Sequence, residues 1–264
     1  MRDVRVRRDL SCLLCFWAGL SVAALTSSIT PANAAVTYSG SAAGDDPGET
    51  NSATATFALS TSGTATDLVV TLTDTAAYKP NDAADILTSV FFTLAGDPTL
   101  AKISALLAAG SHAVENGTNL TIAGGVIGGS WAYASGLHGA PFAANEGISA
   151  TSHFLFGSWN LFPGASLPGD WTSPYGVAGG LTSCVDDGTK YNGSLCGRPF
   201  IEDSAVFTLG NVPASFTLSQ ISNVSFGYGS FPDQVIAAMV PEPSAFALAG
   251  AGLLILCLVT RERC

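Results

Sequence analysis

Positive charge is scarce in the interior of this chain. Across the roughly 206 residues from Ala35 to Val240 there are four basic side chains (Lys79, Lys102, Lys190 and Arg198) against sixteen acidic ones, a net charge of −12. Such a body is repelled by phosphate backbones, which argues against nucleic acid as a partner. Histidine is also rare: His112, His138 and His153 are the full complement. None sits in an H-E-x-x-H pattern, and no G-x-S-x-G elbow occurs, so no nucleophile comes with a base and a group to orient it. His153 lies in strand-like sequence and reads as a hydrogen-bonded structural residue. A carboxylate pair for glycoside hydrolysis would form only in three dimensions and cannot be picked from sixteen acids. The expectation is a non-enzymatic body without a cofactor.

Cysteine is confined to a few places. Cys12 and Cys15 spell C-x-x-C inside an apolar run with no second ligand pair near, and read as apolar filling. In the body only Cys184 and Cys196 occur. An even pair around a short Gly-containing loop, in an oxidising exterior, predicts one disulfide contributing about 3 kcal/mol; two free thiols are the alternative. Between them, "CVDDGTKYNGSLCG" places Asp186 beside Asp187. Calcium takes several oxygen ligands, but the alternating D-x-D-x-D of a calcium loop is missing, so a solvated turn is the reading and no metal site is expected.

Long helical periodicity is nearly absent too, and period-two alternation takes its place. In "TATFALS" Ala55, Phe57 and Leu59 share a face; in "TDLVVTLTD" Leu68, Val70 and Leu72 do. "DILTSVFFTL", "SWAYAS", "SHFLFGSW", "SAVFTLG" and "SFTLSQISNVSFGYG" continue the series, the last with Val224, Phe226 and Tyr228 alternating. Turn signals separate the runs: Gly44 to Gly48, Lys79-Pro80-Asn81-Asp82, Asn116-Gly117 and Asn192-Gly193. Many short strands at this spacing predict an all-β, antiparallel β-sandwich, jelly-roll-like, with long Gly/Pro-rich loops over 157–198. One exception is "PTLAKISALLAAG", where Leu100, Ile103, Leu106 and Leu107 predict a short helix. Among the aromatics, Trp131 and Trp159 have alternating neighbours and read as core. Trp171 and Tyr175, in a Pro/Gly loop, are the candidates for a surface ring that stacks on sugar.

The two ends have a different layout. Arg2, Arg5, Arg7 and Arg8 precede the apolar run Leu10 to Leu25, followed by "PANAA" with Ala32 and Ala34 at the A-x-A positions. This predicts a secretory signal peptide over 1–34, removed after Ala34 by signal peptidase; an uncleaved anchor is the alternative. At the other end Ser244 to Thr260 is seventeen residues without charge, about 26 Å as a helix, followed by Arg261 and Arg263. A transmembrane helix with its basic flank inside would hold the body outside. Ahead of it, Pro241-Glu242-Pro243 stiffens the chain into an extended tripeptide, since each proline fixes its own φ and restricts the residue before it. Extended backbone is what a protease grips, and Glu242 is the sole charge between Asp233 and Arg261.

This order of Pro-Glu-Pro, apolar segment and basic tail over 240–264 resembles the PEP-CTERM sorting signal of exosortase substrates in bacteria. "GGSWAYASGLHGAPFAANEGISATSHFLFGSWNLFPG" and "VSFGYGS" resemble the XDD-type subgroup of such surface proteins. The resemblance implies export, transient anchoring in the inner membrane and processing near Pro241, Glu242 and Pro243 by an exosortase. It also implies an end state at the cell surface, in the envelope or in an exopolysaccharide matrix. The three parts are then a leader (1–34), an extracellular β-sandwich (35–239) and a sorting signal (240–264). A carbohydrate-binding module and a secreted hydrolase are the alternative readings of the body.

Overall fold

A computed structural model describes residues 35–138, 140–151, 166–171, 176–183, 195–230 and 234–239. The signal-peptide residues Ala32 and Ala34, the sorting residues Pro241, Glu242, Pro243, Arg261 and Arg263, and Cys184, Tyr175, His153, Trp159, Asp186 and Asp187 lie outside them. Among the described residues no helix is long and apolar enough to cross a membrane.

The alternating segments form strands. In chain order they are β1 (Ala35–Ala43), β2 (Thr50–Ser62), β3 (Ala65–Asp74), β4 (Leu87–Leu94), β5 (Ala101–Leu107), β6 (His112–Glu115) and β7 (Thr118–Leu120). After them come β8 (Ala132–Ser135), β9 (Glu146–Ser149), β10 (Leu181–Thr182), β11 (Pro199–Glu202), β12 (Ser204–Gly210), β13 (Ile221–Tyr228) and β14 (Gln234–Ala237). Among the described residues the rest of the regular structure is single 3-10 turns. The described body is all-β.

Two sheets account for these strands. One is antiparallel with the order β1-β2-β3-β12-β5, in which β1 to β3 run as a simple meander. The other has the order β14-β13-β4-β10-β11-β6-β7, with β9 joined to β4 and β8 to β9. Its β10–β11 pair is parallel, the one departure from antiparallel pairing among the described strands. Asn116 and Gly117 take φ values of 47° and 72° between β6 and β7, the two left-handed residues a tight hairpin demands.

Alternation decides the faces. Leu68, Val70 and Leu72 of β3 are buried, as are Ala53, Ala55 and Phe57 of β2. They meet Val90, Phe92, Leu94, Ile148, Val224, Phe226 and Tyr228 of the second sheet in one apolar cluster. Two ring contacts cross between the sheets: Phe57 on Phe92 at 5.2 Å edge-on, and Trp131 on Phe207 at 4.9 Å. Trp131 is a core residue, its indole Nε1–H donating to the Gly179 carbonyl at 2.9 Å. The second sheet is covered on its outer side as well. Phe91 packs with Leu137 and Ala144, and Ile86 with Phe200 and Leu195, which is why β4 is buried along both faces.

The predicted helix is not there. Ala101–Leu107 is β5, an edge strand antiparallel to β12. The free edge of β12 needs a partner for its N–H and C=O groups, and that demand outweighs a four-residue apolar spacing. The mismatch remains visible: Ile103 is left 45 % exposed. Both edges of the five-stranded sheet are laced to neighbouring chain, β5 by a bridge from Leu106 to Val126 and β1 by a bridge from Ser39 to Met239. Such lacing removes unpaired edge groups that would otherwise template another strand.

Because Phe57 sits in the middle of the inter-sheet layer, Phe57→Ala is expected to destabilise the fold by about 3–5 kcal/mol. Urea denaturation followed by tryptophan fluorescence measures it; a loss below about 1 kcal/mol would contradict a shared core of this kind.

Candidate functional site

The described surface holds a cavity of about 290 Å³ beside the seam between β1 and β14. Tyr38 of β1, Phe142, residues Ile221, Ser222, Asn223 and Val224 of β13, and Ala237 and Ala238 line it. The lining carries no charge, an exception in so acidic a body.

Its shape comes from backbone in unusual conformations. The pairing of β13 with β4 slips between Ser222 and Ser225, and Asn223 in that bulge has φ 51°. Across the opening, Phe142 and Ala143 have φ 54° and 57° within the short turn Pro141–Ala143. Left-handed geometry costs an asparagine little, but two consecutive residues with a Cβ each carry strain of about 1–3 kcal/mol. Hydrogen bonds hold the turn down: Asn223 Nδ2 donates to Thr93 Oγ1 (3.2 Å), and Thr93 Oγ1 to the Ala143 carbonyl (3.4 Å). Asn145 completes the clamp, its Oδ1 accepting from Leu94 N (2.9 Å) and its Nδ2 donating to Leu94 O (3.0 Å). The outcome is a phenylalanine held 53 % exposed on the rim. Tyr38 forms the floor, its hydroxyl donating to the Ile221 carbonyl at 2.8 Å.

The acids that gather do so elsewhere, inside the sandwich. Asp74 continues the inward face of β3 beyond Leu72 and is buried. Its Oδ1 accepts from Ala76 N (3.0 Å) and from the Tyr228 hydroxyl (3.3 Å), which also donates to Ser52 O. Desolvation pushes the Asp74 carboxyl up to about 7 despite these bonds. Nearby, Asp85 Oδ2 accepts from Asn81 N (2.8 Å) and Asp82 N (3.1 Å), and the Tyr78 hydroxyl reaches both Asp85 Oδ1 and Asn51 Oδ1. Burial raises Asp85 as well. Another buried carboxyl is Glu146 on β9, whose Oε2 accepts from the Tyr133 hydroxyl at 2.5 Å, with Asp97 as its acidic neighbour. Burial first, then the charge of Asp97, lifts Glu146 to about 8. These groups rest under tyrosine hydroxyls rather than in the cavity. No cluster of three or more His, Cys, Asp or Glu side chains able to hold a metal occurs among the described residues.

Of the sequence-predicted site residues, Trp171 and Cys196 lie among the described residues. Trp171 is half-buried and packs against the main core. Cys196 is exposed, and Cys184, its expected partner, lies outside the described residues. His112 and His138 are exposed and apart from the cavity. Sequence reading missed the cavity because its walls come from four separate segments. It missed the buried acids although Asp74 has a signal, since it follows Leu68, Val70 and Leu72 at the same period of two. Comparison with family models, with curated proteins and with solved structures returns no match.

Asp74 and Glu146 both hold their proton more tightly in the fold than in the unfolded chain. The folded state therefore binds more protons between the ordinary carboxylate range and about 7 to 8, and stability falls as pH rises through that window. The Asp74 share alone is on the order of 4 kcal/mol between about pH 4 and about pH 9. Urea midpoints should fall across that range, and Glu146→Gln should flatten the curve and exceed wild type at the alkaline end. A midpoint that rises with pH would refute the assignment.

Proposed function

We propose that the chain is an exported bacterial surface or extracellular-matrix protein, held in the inner membrane by its C-terminal segment and then processed there. Signal peptidase cuts after Ala34, and an exosortase acts near Pro241-Glu242-Pro243. The segment 244–260 crosses the bilayer as a helix with Arg261 and Arg263 inside. The 35–239 body works without catalysis, in the envelope or in an exopolysaccharide matrix.

The observation that carries this reading is the order of the last residues: Pro241-Glu242-Pro243, then seventeen residues without charge, then Arg261 and Arg263. Among the described residues β1 pairs from Ala35, the residue after the expected leader cut, and Met239, two before Pro241, bridges to Ser39. Both cuts would therefore spare every described strand. Met239 N donates to Ser39 O at 2.8 Å, so the chain just after β14 lies against β1. Sixteen acidic side chains on the body favour solubility once it is released.

Intact mass of the envelope fraction tests the reading in a cell that carries an exosortase. Wild-type chain is expected to lack everything from about Glu242 onward, whereas Glu242→Ala should accumulate in the membrane with Cys264 retained. Wild-type protein that keeps Cys264, or a Glu242→Ala form distributed and trimmed like wild type, would overturn it.

A further inference from the structure

Among the described residues the large hydrophobic side chains left exposed are Ile103, Phe142 and Met239. Ile103 stands on β5 at the opposite edge of its sheet from β1. Phe142 and Met239 belong together: Phe142 lines the cavity with Ala237 and Ala238, and Met239 follows directly, 70 % exposed. A strained, clamped turn thus presents a phenylalanine on the rim of an uncharged hollow whose far wall leads directly into an exposed methionine.

The position of this patch relative to the apolar tail defines what covers it. From Met239 to Ser244 is five residue steps, at most about 17 Å of extended chain. In that sequence Pro241 and Pro243 each fix their own φ and disfavour helix at the residue before them. The headgroup layer of a bilayer is roughly 5–7 Å deep on each side, and interfacial side chains settle about 5–10 Å into it. A body tethered on so short a strut has its seam end within reach of that layer. The body is strongly acidic and repelled by anionic lipid, whereas the lining of this hollow, Phe142 and Ala237 among it, carries no charge to oppose contact.

We propose that the seam face carrying Phe142 and Met239 docks on the bilayer interface while the chain is held by its tail, with Phe142 inserted at headgroup level. Docking fixes the orientation of the body over the membrane and presents Pro241-Glu242-Pro243 at a constant height. The inference rests on the membrane-held tail of the proposed function. It adds a second, reversible contact that is lost when the tail is cut, because one aromatic and one thioether side chain hold too little apolar area to retain the body alone.

The test uses the full chain reconstituted in phosphatidylethanolamine–phosphatidylglycerol vesicles, comparing Phe142→Trp with wild type. Lipids brominated either near the headgroups or near the chain ends report depth, and protease protection of the tail reports anchoring independently. Docking predicts that the added tryptophan emission is blue-shifted and is quenched by shallow bromines more than by deep ones. A protected tail with unquenched tryptophan at position 142 overturns the docking and leaves the anchor standing. An unprotected tail overturns both. Two further results count against docking: a blue shift that scales with protein density, which marks a second copy on the patch, and one produced by soluble oligosaccharide without lipid, which marks a sugar groove. Phe142→Ser is expected to leave tail protection unchanged while making the Val240–Pro243 strut more susceptible to added protease.

Discussion

The hydrogen bond from Met239 N to Ser39 O ties the chain just after β14 to β1, and much of the arrangement depends on that seam. It exists because Gly40 has no side chain. A Cβ at that position would stand 2.9 Å from the Ala237 carbonyl oxygen and 3.0 Å from Ile236, with Phe226 at 3.2 Å. Glycine lets β14 lie against β1 at the corner where the two sheets meet. With the corner closed, the edge of the five-stranded sheet is occupied, and Ala237 and Ala238 become one wall of the cavity. The same closure makes the exit of the chain toward Pro241 a fixed point on the body. A methyl group at residue 40 would disturb edge protection, cavity and exit point together.

Strand periodicity explains the interior chemistry in the same terms. A strand that buries Leu68, Val70 and Leu72 also turns Asp74 inward, and one that buries Ile148 turns Glu146 to the side that meets Tyr133. Each carboxyl is met by a tyrosine hydroxyl, a weak acid that can donate without adding charge. That solution accepts a raised carboxyl pKa instead of importing a cation to the interior, and the body has few cations to import. The contribution of these two carboxyls to stability is therefore lost as pH rises, the reverse of the common case in which paired carboxylates are lost on acidification.

What could be read from the sequence was whatever is contiguous. The alternation in β2, β3, β4, β12 and β13 marked both strand and inward face, because a period of two is visible within six residues. Asn116-Gly117 marked its hairpin since both positions require left-handed geometry. The helix expected over Leu100 to Leu107 failed for a reason outside that segment: the open edge of β12, about a hundred residues later in the chain, recruits it. The parallel β10–β11 pair and the covering of the outer face of β4 were hidden likewise, being products of packing between distant segments. The cavity is the extreme case, drawn from β1, the turn at Phe142, β13 and the end of β14, with no local pattern in any of them.

The strain at Phe142 and Ala143 separates a packing accident from a maintained feature. Two adjacent residues in left-handed geometry oppose folding, and nothing in the main core requires them, since Phe142 faces outward. Yet Asn145 spends both ends of its amide on Leu94, and Thr93 receives Asn223 and reaches Ala143, so four polar contacts converge to keep the turn in place. Relaxing the turn would relieve the strain but withdraw the phenylalanine from the rim. The same β8–β9 connection packs Leu137, Ala140 and Ala144 on Phe91 over β4, and the clamped turn displays Phe142 at the rim beside that cover. The display stands beside the point where the body hands over to its proposed membrane tail, and a face serving only soluble partners would gain nothing from that location.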